Sequence, residues 1–152
     1  MALMTLADLK ASVQGEGRLL GLDLGSKTIG LALSDVLRRV ASPYEVIQRR
    51  KFTPDAEALF RIIDKEGVAG LVLGLPISMD GTEGPRCQST RQFATNLLAL
   101  RDLPIAFWDE RLSTVAVERL LVDDADMTRR RRAQVVDKMA AAYILQGALD
   151  AV

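Results

Sequence analysis

The 152-residue chain is 49% hydrophobic and 26% charged. That length and balance predict one domain able to bury a core, and they exclude intrinsic disorder. Twenty Lys and Arg offset twenty Asp and Glu, His is absent and Cys87 is the one cysteine. Ser-His-Asp triads, Cys-His pairs, His-based zinc sites and disulfide frameworks are therefore excluded.

The lone thiol fits a reducing cytosol. Leu/Ala-rich runs break well before the roughly 20 apolar residues of a membrane span, and the start MALMTLADLKASVQGEGR does not read as a signal peptide. The expectation is a cytoplasmic protein with no membrane partner, whose chemistry rests on carboxylates, Lys, Arg, Ser or Thr. Residues 1–17 are expected to form an N-terminal extension and residues 18–150 a single domain.

Arg18 to Leu24 is a short apolar run closed by Gly25 and reads as a strand. Thr28 to Leu33 reads as a second strand, closed by Ser34-Asp35, and the tight GSK turn between them predicts a hairpin. A third strand includes Tyr44 to Ile47. Thr53-Pro54-Asp55 has the pattern of a helix start: hydroxyl cap, proline at the first helical position, acid in the first turn. That helix runs to about Glu66 and stops at Gly67. Val68 to Leu75, almost wholly apolar, predicts a strand buried on both faces.

The polar loop PISMDGTEGP comes next, then a helix from about Pro85 to Leu100 and a strand from Ile105 to Trp108. Ser113 caps a predicted helix through Leu121. The segment DDADMTRRRR reads as a loop, and Ala133 to Leu149 as a closing helix. A meander followed by alternating helices and strands predicts an α/β fold: a mixed sheet, antiparallel strands first and parallel ones after, flanked by helices.

Three acids stand where a core would prefer none. Alternation along the first strand puts Leu19, Gly21, Asp23 and Gly25 on one face and Leu20, Leu22 and Leu24 on the other. An acid there must be paired, hydrogen-bonded or metal-bound, and the adjacent glycines leave room for something to approach. The competing reading is a carboxylate that caps the GSKT turn.

Asp137 begins a small apolar helical stripe with Ala140, Ala141, Ile144 and Ala148, which should pack on the sheet. Its competing reading is an ion pair with one of Arg129 to Arg132. The third acid follows an apolar strand in Trp108-Asp109-Glu110-Arg111, where α/β sheets gather ligands; strand parity alone does not choose between Asp109 and Glu110. Such a set of hard oxygen donors suits Mg²⁺ or Mn²⁺, which can activate water, stabilise a phosphodiester leaving oxygen and relieve the mutual repulsion of the acids.

GLDLGSKT fails as a Walker loop, because Ser26 separates Gly25 from Lys27 and the segment lies between strands. The shorter pattern Asp-x-Gly-Ser resembles the first phosphate loop of actin-like ATPases and sugar kinases, which need a second domain to close over nucleotide. Charge is locally uneven. Arg38, Arg39, Arg49, Arg50 and Lys51 face only Glu45 within their stretch, and Arg129, Arg130, Arg131 and Arg132 are consecutive. Such runs can steer a polyanion toward the acids; the alternative is a solvated loop balanced by Asp123, Asp124 and Asp126. Aromatics are scarce, so Phe107 and Trp108 read as strand core and Cys87 as packing.

Together the blocks GLDLGSKTIGLALSD, LGLPISMDGTEGP, WDERLST and DKMAAAYIL closely resemble the bacterial YqgF/RuvX family, in family order over about Gly21 to Leu145. The resemblance implies an RNase H-like fold with a five-stranded sheet, related to RuvC-type Holliday junction resolvases. It implies a cytoplasmic, divalent-metal nuclease that processes the 5′ end of pre-16S rRNA. The alternatives are a resolvase of four-way DNA junctions and a non-catalytic RNA-binding assembly factor, either as monomer or as homodimer.

The resemblance places catalysis and metal binding on Asp23, Glu110 and Asp137, so it prefers Glu110 over Asp109. Lys27 and Arg111 become candidates to hold phosphate, beside Arg130 and Arg131 of the basic run. The loop Pro76 to Pro85 resembles the family's long loop beside the site, and its glycines lead to the expectation that it orders when substrate arrives.

Overall fold

The computed structural model describes residues 3–13, 15, 17–77, 80–109 and 129–151, with the backbone alone for 129–137. The helix expected after Ser113 lies outside the described residues. Among the described residues there are nine elements: α1 (Leu6–Ser12), β1 (Arg18–Leu24), β2 (Thr28–Ser34), β3 (Ala41–Gln48), α2 (Phe52–Glu66), β4 (Val68–Leu75), α3 (Pro85–Leu100), β5 (Ile105–Asp109) and α4 (Arg129–Asp150).

The strands form one sheet of order β3-β2-β1-β4-β5. β1 pairs antiparallel with β2 and parallel with β4, β2 pairs antiparallel with β3, and β4 pairs parallel with β5. The expected hairpin and mixed sheet are both present. β1 is central, which explains why both its faces are apolar: Leu19, Leu20 and Leu22 have no exposed surface.

Two helical layers cover the sheet. On one face α2 and α3 bring Ala56, Leu59, Ile63, Phe93 and Leu97 against Leu20, Leu22, Leu24, Ile29, Leu31, Leu71 and Leu73. On the other, α1 and α4 bring Leu9, Val13, Ala141, Ile144, Leu145 and Ala148 against Leu19, Ala32, Val72 and Ala106. The Ala140, Ala141, Ile144 and Ala148 stripe predicted to meet the sheet is buried there. Gly21 lets α4 lie directly on β1, since a Cβ at that position would stand 2.8 Å from Leu145 Cβ and 3.1 Å from the Ala141 carbonyl oxygen.

Three details differ from expectation. First, residues 1–17 contain helix α1, capped by Thr5 Oγ1, which accepts from the Asp8 amide at 3.1 Å. Second, α2 begins at Phe52, ahead of Thr53: the Asp55 carboxylate reaches back to accept from the Arg50 amide at 3.1 Å, so the acid rather than the hydroxyl closes this end. Its other end follows the sequence, with Gly67 left-handed at φ 66°. Third, Arg129 to Arg132 are the first turn of α4 and not part of a loop. Arginine is a good helix former, and no Gly or Pro interrupts the run from Arg129 to Asp137.

Candidate functional site

The carboxyl ends of β1, β4 and β5 lie together, joined by the start of β2 and the end of β3. Asp23 stands at this end of β1. Strand alternation puts its side chain on the α4 face with Leu19 and Gly21, where it is half-buried. Its cross-strand partner on β2 is Gly30. On β4 the residue after Leu73, itself the partner of Leu22, is Gly74. Asp23 is therefore flanked on both sides by strand positions that carry no side chain.

The glycines next to Asp23 in sequence have other work. Gly21 receives α4, and Gly25 sits in the hairpin turn, where a Cβ would be 3.1 Å from the Thr28 carbonyl oxygen. The glycines that flank Asp23 in space belong instead to the neighbouring strands. A single strand's sequence does not show those neighbours.

α4 brings position 137 toward Asp23. Gln146 Oε1 accepts from the Ala41 amide at 2.8 Å near the opposite end of the sheet, and Ala141 and Leu145 bracket Gly21 in the middle. The helix therefore runs back toward the carboxyl end of β1. Residue 137 lies one turn, about 5.4 Å, beyond Ala141, while Asp23 lies two residues, about 7 Å, beyond Gly21. The helical backbone also weakens the ion-pair reading of Asp137. Arg129 to Arg132 precede it by five to eight positions, whereas intrahelical pairs form at three or four. Arg130, seven positions before it, lies on the same stripe two turns further on. Arg131 follows on the same turn.

On β5, Ala106 and Trp108 face α4, while Ile105 and Phe107 pack with α2 and α3. Alternation puts Asp109 with Phe107, on the face away from Asp23. Glu110 and Arg111 lie outside the described residues, as does the side chain of Asp137. Among the described residues no three carboxylates come together as a metal cluster. The oxygen donors assigned to the cation, Asp23 with Glu110 and Asp137, still have the chemistry for Mg²⁺ or Mn²⁺. They include no nitrogen or sulfur donor, and the half-buried Asp23 carboxylate has bare backbone on either side.

Lys27 is exposed in the β1–β2 turn at this same end. Its carbonyl accepts from the Arg49 amide at 2.8 Å, which ties the turn to the end of β3. The basic stretch from Arg38 to Lys51 does not act as one patch. β3 separates its halves by eight residues, about 26 Å. Arg38, at φ 56°, donates from Nη1 to the carbonyls of Gly15, Gly17 and Val36 and braces the far end of the sheet. Beside it, amide donation from Val40 and Arg39 holds the Asp35 carboxyl below its ordinary range. Arg49, Arg50 and Lys51 remain at the Asp23 end. Arg86 joins them from the first turn of α3, donating to the Leu24 carbonyl at 3.3 Å. Arg86 stands outside any run of basic residues, so no local charge pattern marks it in the sequence.

This topology, a mixed five-stranded sheet of order β3-β2-β1-β4-β5 covered by helices on both faces, defines an RNase H-like fold. The structure of T. thermophilus RuvC in complex with Holliday junction substrate aligns with a TM-score of 0.54 at 14% identity, covering 89% of this chain and 94% of that one. Residues 17–151 match the sequence model of RuvX, described as Holliday junction resolvase, and the chain belongs to that family. Two close relatives carry the name "Putative pre-16S rRNA nuclease". The protein from Paramagnetospirillum magneticum is 67% identical over 150 residues, 99% of this chain and 96% of that protein. The protein from Phenylobacterium zucineum is 64% identical over 151 residues, 99% and 97% respectively.

Proposed function

We propose that this protein is a cytoplasmic nuclease that hydrolyses phosphodiester bonds of precursor 16S rRNA, using Asp23, Glu110 and Asp137 with Mg²⁺ or Mn²⁺. The observation that carries the reading is near-full-length identity of 67% to a relative named for that activity. Asp23 supports it as the family acid on a rigid central strand, between Gly30 and Gly74. Asp109 turns to the opposite face, which favours Glu110 as the acid that serves the site.

In this reading the three carboxylates hold the cation and Asp23 contributes the most rigid ligand. When bound, the cation supplies Lewis acidity to the attacking water and to the leaving oxygen. Lys27, Arg111, Arg130 and Arg131 hold backbone phosphates on either side of the scissile bond. Asp23→Asn keeps the shape and removes the charge. In Mg²⁺ or Mn²⁺ it should leave precursor rRNA uncut while the circular dichroism and melting point stay near the wild type. Wild-type cleavage by that variant, or cleavage undiminished in chelator, would reject the assigned site.

The family description favours a second reading, resolution of four-way DNA junctions by the same acids. Symmetric nicks need two opposed sites and hence a homodimer. Paired nicks in a synthetic junction, with precursor rRNA left intact, would select it.

A further inference from the structure

The carboxyl end of β1 opens toward both faces of the sheet. Asp23 stands on the α4 side. On the other side, Leu24, Gly25 and Ser26 wall a cleft of about 160 Å³, closed by Arg49, Phe93 and the Arg86, Ser89 and Thr90 positions of α3. Two guanidinium groups enter it. Arg49 Nη1 donates to the Gly25 carbonyl at 2.6 Å while its Cζ lies 5.7 Å from the Phe93 ring centre. Arg86 Nη2 donates to the Leu24 carbonyl.

Both anchors are backbone carbonyls, and neither guanidinium pairs with a carboxylate among the described residues. Each arginine has five N–H donors, so most of each fork is left for a ligand. Ser26 and Ser89 line the same space. Thr90 is turned inward, its hydroxyl donating to the Arg86 carbonyl at 2.9 Å. Two fixed cations and neutral donors around a small cleft match a tetrahedral oxyanion, the partner that guanidinium forks grip with charge-assisted bonds.

We propose that this cleft binds a non-scissile phosphate of the nucleic-acid backbone, with Arg49 and Arg86 as its ligands and Ser26 and Ser89 as further donors. The proposal deepens the nuclease reading and rests on it for the polymer, though not for the phosphate chemistry. Ser26 follows Asp23 by three residues, at most about 10 Å of extended chain. At about 3.4 Å of duplex axis per phosphate on one strand, the gripped phosphate lies within about three nucleotides of the cleaved one. The turn and the arginines would thereby set the register of the strand over the acids.

The test uses the full chain labelled with ¹⁵N and titrated with inorganic phosphate at constant ionic strength, together with Arg86→Gln, Arg86→Lys and Asp23→Asn. Arg86 is exposed, so its replacement leaves the core untouched. The amides of Gly25, Ser26 and the first turn of α3 should shift saturably in the wild type and in Asp23→Asn. They should shift less in Arg86→Lys and hardly at all in Arg86→Gln. Affinity for precursor rRNA should fall about 10-fold in Arg86→Gln, and the slope of log K against log salt should drop by about 1.

Absence of a saturable shift in the wild type overturns the proposal. An equal shift in Arg86→Gln, or an unchanged salt slope, does so too. If Arg86-dependent phosphate shifts appear while precursor rRNA is neither bound nor cut, the pocket stands and the nuclease reading falls. If Asp23→Asn abolishes cleavage while Arg86→Gln titrates like the wild type, the reverse holds.

Discussion

Replacing Gly21 by alanine tests whether α4 rests directly on β1. The new methyl would sit 2.8 Å from Leu145 Cβ and 3.1 Å from the Ala141 carbonyl oxygen. Neither atom can swing aside, because one is the first carbon of its side chain and the other is backbone. Real Cβ atoms essentially never sit closer than 3.0 Å and ordinary contact begins at 3.4 Å, so the helix must rise by about 0.2 to 0.6 Å. Leu145 shares its layer with Leu19, Ala32, Val72, Ile144 and Ala148, and a gap of about 0.5–1 Å already forfeits a quarter to a half of each dispersion contact.

Overpacking of this kind costs about 1–3 kcal/mol, which lowers the melting point by roughly 3–9 °C for a chain of this size. Gly70→Ala is the control. A methyl there comes even closer, 2.7 Å, but to Cδ1 of Leu9, with Leu19 Cδ2 at 3.2 Å. These are the far ends of side chains, and the first belongs to the short helix α1, so rotation relieves the clash at a cost of about 0.5–1.5 kcal/mol. Guanidinium unfolding followed by circular dichroism compares the two variants. Gly21→Ala should also lose cleavage activity, because the lift moves residue 137 relative to Asp23, and misplacement by about 1 Å costs up to about 10²-fold. Equal destabilisation by the two alanines would refute the reasoning, which rests on the immobility of the atoms struck at Gly21.

Ser34→Ala removes a buried hydroxyl that accepts from the Leu19 amide at 2.8 Å and donates to the Asp35 carbonyl at 2.9 Å. The orphaned amide of the central strand should lower stability by about 1–3 kcal/mol, and an unchanged urea midpoint would contradict this. Tyr44 is held up to about 12 by its hydrogen bond to Glu66, with smaller contributions from burial and from the charges of Glu66 and Glu45. A phenol raised in the folded state stabilises below its unfolded value of about 10, and that contribution is lost as pH rises through about 12. Glu66→Gln should move the ultraviolet phenolate transition of Tyr44 downward and flatten the stability loss across this window; a transition that stays put excludes the pair.

The elements legible in the sequence are those whose signals are local. The β1–β2 hairpin, the apolar β4, the Pro85 start of α3 and the left-handed Gly67 each follow from a few adjacent residues. Helix α1 was not legible. It is seven residues long with one fully buried side chain, Leu9, and it is held by contacts distant in sequence: the Met4 amide donates to the Ile105 carbonyl, and Lys10 Nζ to the Leu149 carbonyl. The acid positions were legible in part. Alternation put Asp23 on the α4 face, but the glycines that flank it in space belong to β2 and β4. Parity left Asp109 and Glu110 open, and only the packing of Phe107 assigns Asp109 to the other face. Arg38 and Arg49 read as one basic run until β3 separates them, whereas Arg49 and Arg86 are far apart in sequence and share a cleft.

The zero net charge of the chain hides how the arginines are partnered, and it does not argue against a polyanionic substrate. Arg91 is paired with Glu83 through two contacts of 2.8 and 2.9 Å, and Arg101 with Asp64 at 2.7 Å. Both pairs lie at the surface, where the opposed charges leave little field. Arg49 and Arg86 instead lean on carbonyl oxygens, which fix the guanidinium without cancelling its charge. Among the described residues, the carboxyl end of β1 therefore carries Arg49 and Arg86, neither paired with a carboxylate, on the α2–α3 side and the Asp23 carboxylate on the α4 side. In the proposed reading, a phosphate chain laid across this end meets the two arginines on one face and Asp23 on the other. That arrangement makes association steeply salt-dependent, which total charge alone would not predict. A binding constant that hardly changes with ionic strength would show that the segregation has no consequence for substrate.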